Sequence, residues 1–244
     1  MKRALVIGGS NGIGLSIALN LPKYEHIYIV DKVEPEIKLT DNMSFKQFDL
    51  TSTDYSIFNE YSDIDTLIIT AGFGKLELFE SINDKNIIDS FFVNTIAPIR
   101  IIKHFYQHLN SVNDFYCTIL VSIAGLLSSP FYSIYGASKA ALCKFIESVN
   151  VELEMAGSKN RILNVSPGSI KGTKFNNGSN DIKLTTPLAN SILKNMYNKN
   201  DLFIPKYDEV YKSVLDRYIS DFRKFGRESY NYKVQNRINS KDEK

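Results

Sequence analysis

Short, mainly apolar runs recur along the chain, most followed by a polar or glycine-bearing turn and then by a stretch with helical spacing. The runs at 4–7, 27–30, 67–69, 119–121, 162–165 and 202–204 have the length and continuity of parallel strands buried on both faces. A further, more polar strand is expected over 44–48. Residues 86–110 and 133–156 read as the long helices between strands. Right-handed crossovers between such strands predict an α/β fold, a doubly wound and mainly parallel sheet whose ligand crevice lies at its carboxyl edge. No linker-like change of composition interrupts residues 1–244, so one domain is expected.

Beyond Lys171 the pattern loosens. Residues 171–186 are polar and rich in Asn and Gly, as expected of a mobile lid, which extends to about residue 200. Within it Leu188, Ile192 and Met196 stand at helical spacing, either as an apolar roof over substrate or as packing on the sheet. Residues 207–225 place Val210, Val214, Tyr218, Ile219 and Phe222 on one side, which predicts an amphipathic helix docked on the core. Past Gly226 the chain is polar, and disorder is expected over its last seven or so residues.

Candidate chemistry begins at the first strand. Gly8-Gly9-Ser10-Asn11-Gly12-Ile13-Gly14 joins that strand to an amphipathic helix, which describes a phosphate cradle of the Rossmann type. Gly8 suits the tight turn, Gly12 admits a pyrophosphate, and Gly14 allows close helix packing. Free N–H groups and a positive dipole end then face the anion. Asp31 follows the second strand, where a carboxylate accepts hydrogen bonds from an adenosine ribose and repels a 2′-phosphate. That favours NAD(H) and leaves NADP(H) open, since Lys32 offers partial compensation.

Tyr135 and Lys139 stand one helical turn apart on one face, so an ammonium sits near a phenol. An unassisted tyrosine, with a pKa of about 10, is a poor base at neutral pH. A nearby Lys139 cation and a nicotinamide cation are the groups expected to depress that pKa. Spacing alone proves little, because Tyr28 and Lys32 repeat it on an apolar stretch that reads as a strand. Only the first pair has a serine, Ser122, thirteen residues upstream.

Taken together these residues resemble the short-chain dehydrogenase/reductase family, from Lys2 to about Thr173. The family's TGxxxGIG is similar to Ile7 through Gly14, with Ile7 in place of threonine. Its adenine-contacting acid corresponds to Asp49, beside Leu50. Its NNAG segment is similar to Ile69-Thr70-Ala71-Gly72, in which both asparagines are missing and binding rests on backbone groups and Thr70. Asn94, Ser122, Tyr135 and Lys139 correspond to the catalytic tetrad, and Pro167-Gly168, with Ile170 after it, to the turn near the nicotinamide. The family's threonine after that turn falls one residue late, at Thr173. The resemblance implies that Tyr135 exchanges a proton with a carbonyl or alcohol while hydride passes to or from the nicotinamide. It also implies that Lys139 lowers the phenol's pKa and holds the ribose, that Ser122 bonds the substrate oxygen, and that Asn94 orders a water linking Lys139 to solvent. A homodimer through the two long helices is implied, and a tetramer is less supported because the family's glycine-rich C-terminal pair is absent.

Global properties narrow the partners. A net charge of +2 with no arginine-rich stripe argues against nucleic acid, leaving a small-molecule carbonyl or alcohol. The N-terminal apolar run ends at Gly8, too short for a secretion signal, and no long apolar segment follows. A cytoplasmic chain without membrane contact is expected. Cys117 and Cys143 read as small buried apolar residues. His104 and His108 share a helical face but have no ligating carboxylate, so no metal is expected. A catalytically silent dinucleotide-sensing regulator is the alternative function. An extended-branch sugar-nucleotide epimerase would need another glycine spacing and a longer C-terminal domain.

Overall fold

The computed structural model describes residues 2–175 and 178–242, with side chains as far as Gln235. From the N-terminus, β1 (Arg3–Ile7) turns into α1 (Gly12–Asn20), followed by β2 (His26–Asp31), β3 (Met43–Gln47) and β4 (Thr66–Ile69). The next crossover contains α2 (Asp84–Phe91), a π-helical turn at Phe92–Ile96, α3 (Ala97–His104) and α4 (Tyr106–Leu109). Then come β5 (Tyr116–Leu120), α5 (Ser133–Met155), β6 (Ile162–Val165), α6 (Ile182–Tyr197), β7 (Leu202–Phe203), α7 (Lys212–Ser220) and α8 (Phe222–Asp242).

The seven strands form one parallel sheet in the order β3-β2-β1-β4-β5-β6-β7. After β3 the chain returns to the middle of the sheet and builds outward the other way, so the switch point lies between β1 and β4. Register decides what meets there. Ile7 lies opposite Val30 on β2 and Ile69 on β4, which brings Gly8, Asp31 and Thr70 to one edge. Alternate β1 residues divide between two cores, Leu5 and Ile7 on one face, Ala4 and Val6 on the other, as the two-residue strand period requires. The first core is closed by α3 and α5, the second by α1 and α6.

Several expectations change. The strand expected over 119–121 begins at Tyr116, which pairs with Thr66, so the backbone ladder extends past the purely aliphatic stretch. The helix expected over 86–110 starts at Asp84, where the Asn83 side chain accepts from the Asn86 amide. It then widens into the π turn and breaks at Phe105. In α6, Ile192 and Met196 are buried beside α1 in the second core and Leu188 packs at its margin. These side chains are packing on the domain, not a roof.

The amphipathic helix expected over 207–225 is a π turn at Tyr207–Tyr211 followed by α7, and it ends at Asp221. Val210, Ile219 and Phe222 are exposed while Val214 and Tyr218 are half-buried, so this apolar side is only partly covered. The Asp221 carboxylate accepts from the Arg223 and Lys224 amides and caps a new helix. The tail expected to be disordered is therefore helical as far as Asp242, and Glu243 and Lys244 lie outside the described residues. Among the described residues no helix is long and apolar enough to cross a membrane.

Candidate active site

A cleft of about 1240 Å³ runs across the carboxyl ends of the strands. Most residues singled out above for cofactor contact or catalysis line it, while Gly9, Ser10, Ile69 and Asn94 lie behind its wall.

At one end is the glycine turn. Gly8 has φ +84 and Gly12 φ +53, a region that side chains with a Cβ rarely adopt. A Cβ on Gly8 would collide with the Ala71 amide, and one on Gly14 with the Gly8 carbonyl and the Thr70 hydroxyl. The Thr70 hydroxyl donates to the Gly8 carbonyl at 2.9 Å. It thereby ties the turn to β4 from the segment where the family's asparagines are missing. Asn11 makes no side-chain cap on α1, and no acid occupies the first turn, so the positive helix end faces the cleft. Ser10 Oγ is buried with no hydrogen-bond partner among the described residues, an orphan polar atom of the kind that marks a ligand site. The Gly12 amide donates to Asn180 Oδ1 at 2.8 Å, and Thr173 closes over Gly12 with methyl contact at 3.5 Å from the ideal Cβ position.

Asp31 ends β2 with its carboxylate accepting from the Ser10 amide at 3.0 Å and the Lys32 amide at 2.7 Å. A carboxylate has about four acceptor positions, so capacity remains toward the cleft. Lys32 reaches across to Asp49 at 2.9 Å. That contact, with the Thr51 amide, holds the Asp49 carboxyl down at about 2.

At the other end stands α5. Its buried stripe runs Lys139, Leu142, Ile146, Val149, Leu153, so a lysine occupies a position where helical periodicity calls for an apolar side chain. Lys139 is 3% exposed and donates to the Leu120 carbonyl at 2.9 Å. No carboxylate pairs with it among the described residues, and burial lowers its pKa to about 8. At about 1.4 kcal/mol per pKa unit, keeping it charged at neutral pH costs the fold roughly 3 kcal/mol. Its ammonium lies 5.9 Å from the centroid of the Tyr135 ring. Burial pushes the Tyr135 phenol up to about 12, and a hydrogen bond with the Ser122 side chain opposes that rise.

Ser122 also accepts from the Ala124 amide at 3.1 Å, while the Pro167 carbonyl accepts from the Ile123 amide at 2.9 Å. The second contact fastens the turn after β6 to the Ser122 loop. Gly168 in that turn has no room for a Cβ because the Tyr211 phenol lies against it. Asn94 sits in the π turn, a local widening often found at functional sites. Its carbonyl oxygen accepts from the Phe73 amide at 3.0 Å, and its amide donates to the Phe73 carbonyl at 2.9 Å and to Ser138 Oγ at 3.1 Å. Both ends of the side chain are engaged, so it braces the 73 position against α5.

Two further residues shape the site. Phe175 places its ring 5.5 Å from that of Tyr135 and stacks on Tyr132 at 6.4 Å. Gly74 lets the Tyr135 ring approach, since a Cβ there would meet ring carbons at 2.7 and 2.9 Å. Nothing local distinguishes that phenylalanine from the others in the chain. Gly74 gave the weak hint of a second glycine soon after Gly72.

A parallel sheet with a glycine cradle at its switch point defines the class of dinucleotide-binding α/β domains. Residues 2–183 match the short chain dehydrogenase family, and the chain belongs to that family. It is 27% identical over 201 residues to an uncharacterized oxidoreductase of Saccharomyces cerevisiae, covering 75% of this chain and 65% of that one. The likeness thus spans about two thirds of that relative's length. A short chain dehydrogenase from Burkholderia cenocepacia in complex with NADP superposes with a TM-score of 0.73 at 18% identity, over 89% of this chain and 98% of the other. One from Burkholderia phymatum in complex with NAD gives 0.74 at 15% identity, over 91% and 94%. At these identities the structural likeness is one of fold.

Proposed function

We propose that the protein is an NAD(P)-dependent oxidoreductase acting on a carbonyl or alcohol, with Tyr135 as the general acid/base. The observation that carries this is Lys139, a buried ammonium unpaired with any described carboxylate, one helical turn from a phenol that opens on the cleft. Such an ion is costly to the fold, and its position beside Tyr135 gives it a use. The nicotinamide, when bound, supplies the hydride chemistry.

Tyr135 would hand its proton to a substrate carbonyl oxygen in reduction and take it back in oxidation. Lys139 would stabilise the phenolate left behind, and Ser122 would hold the same substrate oxygen. Positioned proton transfer of this kind contributes roughly a hundred- to ten-thousand-fold. The orphan Ser10 hydroxyl, the Cβ-free Gly8, Gly12 and Gly14 and the open end of α1 fit a pyrophosphate. Asn180 must release the Gly12 amide before that anion can take it. Asp31 favours NAD(H). The ion pair between Lys32 and Asp49 supports that preference, because it engages the nearest cation that could meet a 2′-phosphate. NADP(H) stays the second choice.

The lid narrows to the segment ahead of α6, where Thr173 and Phe175 cover the cleft and α6 serves as its fixed base. Exposed Ile88, Ile96, Val151 and Met155 on α2, the π turn and α5 support a homodimer through those helices. Titration of the protein with NADH and NADPH by fluorescence, followed by a panel of ketones, aldehydes and acyl compounds, tests the reading. Tight NADH binding with oxidation by one panel member is the expected result. Binding with no oxidation by any of them would favour a dinucleotide sensor.

A further inference from the structure

The C-terminal helix α8 is the most polar of the long elements, and among the described residues two of its side chains meet one loop of the domain. Lys233 Nζ donates to Ser129 Oγ at 2.6 Å and to the Pro130 carbonyl at 2.7 Å, and stands 5.3 Å over the Tyr132 ring. One helical turn earlier, Tyr230 stacks on Phe131 with ring centroids 5.1 Å apart. Phe131 is held at φ +67, a left-handed conformation that a bulky residue keeps only when its surroundings hold it there.

That loop is part of the cleft. Ser129 and Tyr132 line it, and the Tyr132 ring lies 5.6 Å from that of Tyr135. The Phe131 carbonyl accepts from the Glu77 amide at 2.9 Å, which joins the loop to the 73–77 segment forming another part of the wall. Lys233 is half-buried and forms no ion pair with a carboxylate among the described residues. Its donors are directed at the loop.

We propose that α8 is a specificity element, with Lys233 and Tyr230 as positioning residues that hold the Ser129–Tyr132 wall of the substrate end. This rests on the oxidoreductase reading for its kinetic consequence and on geometry alone for the clamp. An ammonium bonded to two acceptors on successive residues, with a stacked ring beside it, fixes the loop in both direction and depth. The wall touches substrate, whereas the cradle and Asp31 lie at the far end of the cleft. Loosening it therefore raises KM for the carbonyl and leaves cofactor affinity alone.

The test compares full-length Lys233→Met, Lys233→Arg and Tyr230→Ala with Tyr232→Ala, a control at an exposed α8 position. Hydrogen exchange of the 126–135 segment is measured without substrate, and KM, kcat and the NADH Kd are measured where turnover is seen. Lys233→Met is expected to speed exchange in that segment by roughly fivefold or more. It should raise KM roughly five- to tenfold, with kcat within about twofold and the NADH Kd unchanged. Tyr230→Ala should act in the same direction and serves if Lys233→Met folds poorly. Lys233→Arg, which keeps the charge and two donors, should restore KM to within about twofold of the parent. Parental exchange and KM in both Lys233→Met and Tyr230→Ala would overturn the proposal. So would an NADH Kd that weakens in step with KM, since that marks general damage. A parent protein that turns over no carbonyl would overturn the oxidoreductase reading and with it the KM consequence, while the exchange data would still decide the clamp.

Discussion

The chain contains two Tyr-x-x-x-Lys pairs, one starting on a strand and one on a helix. Four residues advance an extended strand by about 13 Å but a helix by only about 6 Å. Tyr28, on β2, is half-buried in a cluster with His26 at 4.5 Å and Tyr61 at 5.0 Å, and Lys32 pairs with Asp49 at the adenosine end of the cleft. Tyr135 and Lys139, on α5, stand together at the substrate end, the lysine buried and the phenol facing the cleft. Identical spacing thus yields a structural aromatic with a surface ion pair in one place and a buried lysine beside a cleft-facing phenol in the other. A motif acquires its chemistry from the rise per residue of the element that carries it and from the water that element excludes.

The comparison breaks first at the tyrosines. Tyr135→Phe is expected to lower kcat by roughly a thousandfold or more while NADH binding stays within about twofold. Tyr28→Phe should leave turnover within about twofold of the parent. Steady-state kinetics and a fluorescence titration on both variants decide it. A Tyr135→Phe protein that turns over normally removes the assigned acid/base.

The lysines sharpen it with two readouts of opposite sign. Lys139→Met should cost roughly a hundredfold or more in kcat and yet stabilise the fold by about 1–3 kcal/mol at neutral pH, because it replaces an unpaired buried ion with an apolar chain. The pH dependence follows from the lysine's lowered pKa. Its value in the fold, about 8, lies below its ordinary 10.5, so the unfolded chain binds more protons between those limits. The contribution of Lys139 to stability therefore rises as pH climbs from about 8 toward 10, against the opposite contribution of buried thiols and phenols whose pKa values burial raises. Lys233, half-buried and lowered to about 8, adds a smaller increment of the same sign. Urea unfolding at pH 7, 8, 9 and 10 should show the stability of the parent rising relative to that of Lys139→Met, a difference in which the groups common to both cancel. Lys32→Met should leave the rise and kcat intact.

Asp31→Ala is the smallest of these effects. Removing the carboxylate should narrow the preference for NADH over NADPH by about tenfold, read as a ratio of Kd values. An unchanged ratio means that Asp31 serves only to hold the Ser10 and Lys32 amides.

Most of the sheet could be read from the chain, because strands buried on both faces leave no ambiguity in their apolar runs. The glycine turn was legible for a similar reason, as the space a Cβ would fill at Gly8 and Gly14 admits no other residue. Lys139 carried a further signal, a charge set into an otherwise apolar helical stripe. The C-terminal third was read less well. A polar, charged stretch such as 226–242 can be tail or helix, and the choice falls to a cap at Asp221 and to a docking loop about a hundred residues away. The exposed apolar side of α7 has helical periodicity whether or not a partner covers it.

Local pattern therefore settled the strands, the cradle and the pairing of Tyr135 with Lys139, since each depends on residues close in sequence and on sterics with few solutions. Long-range packing alone placed Phe175 over Tyr135, made Asn94 a brace for Phe73, engaged the Gly12 amide with Asn180 and set Lys233 against the Ser129–Pro130 loop. Those contacts join segments whose separation along the chain carries no periodic signal, and their energies depend on burial that exists only once the sheet has closed.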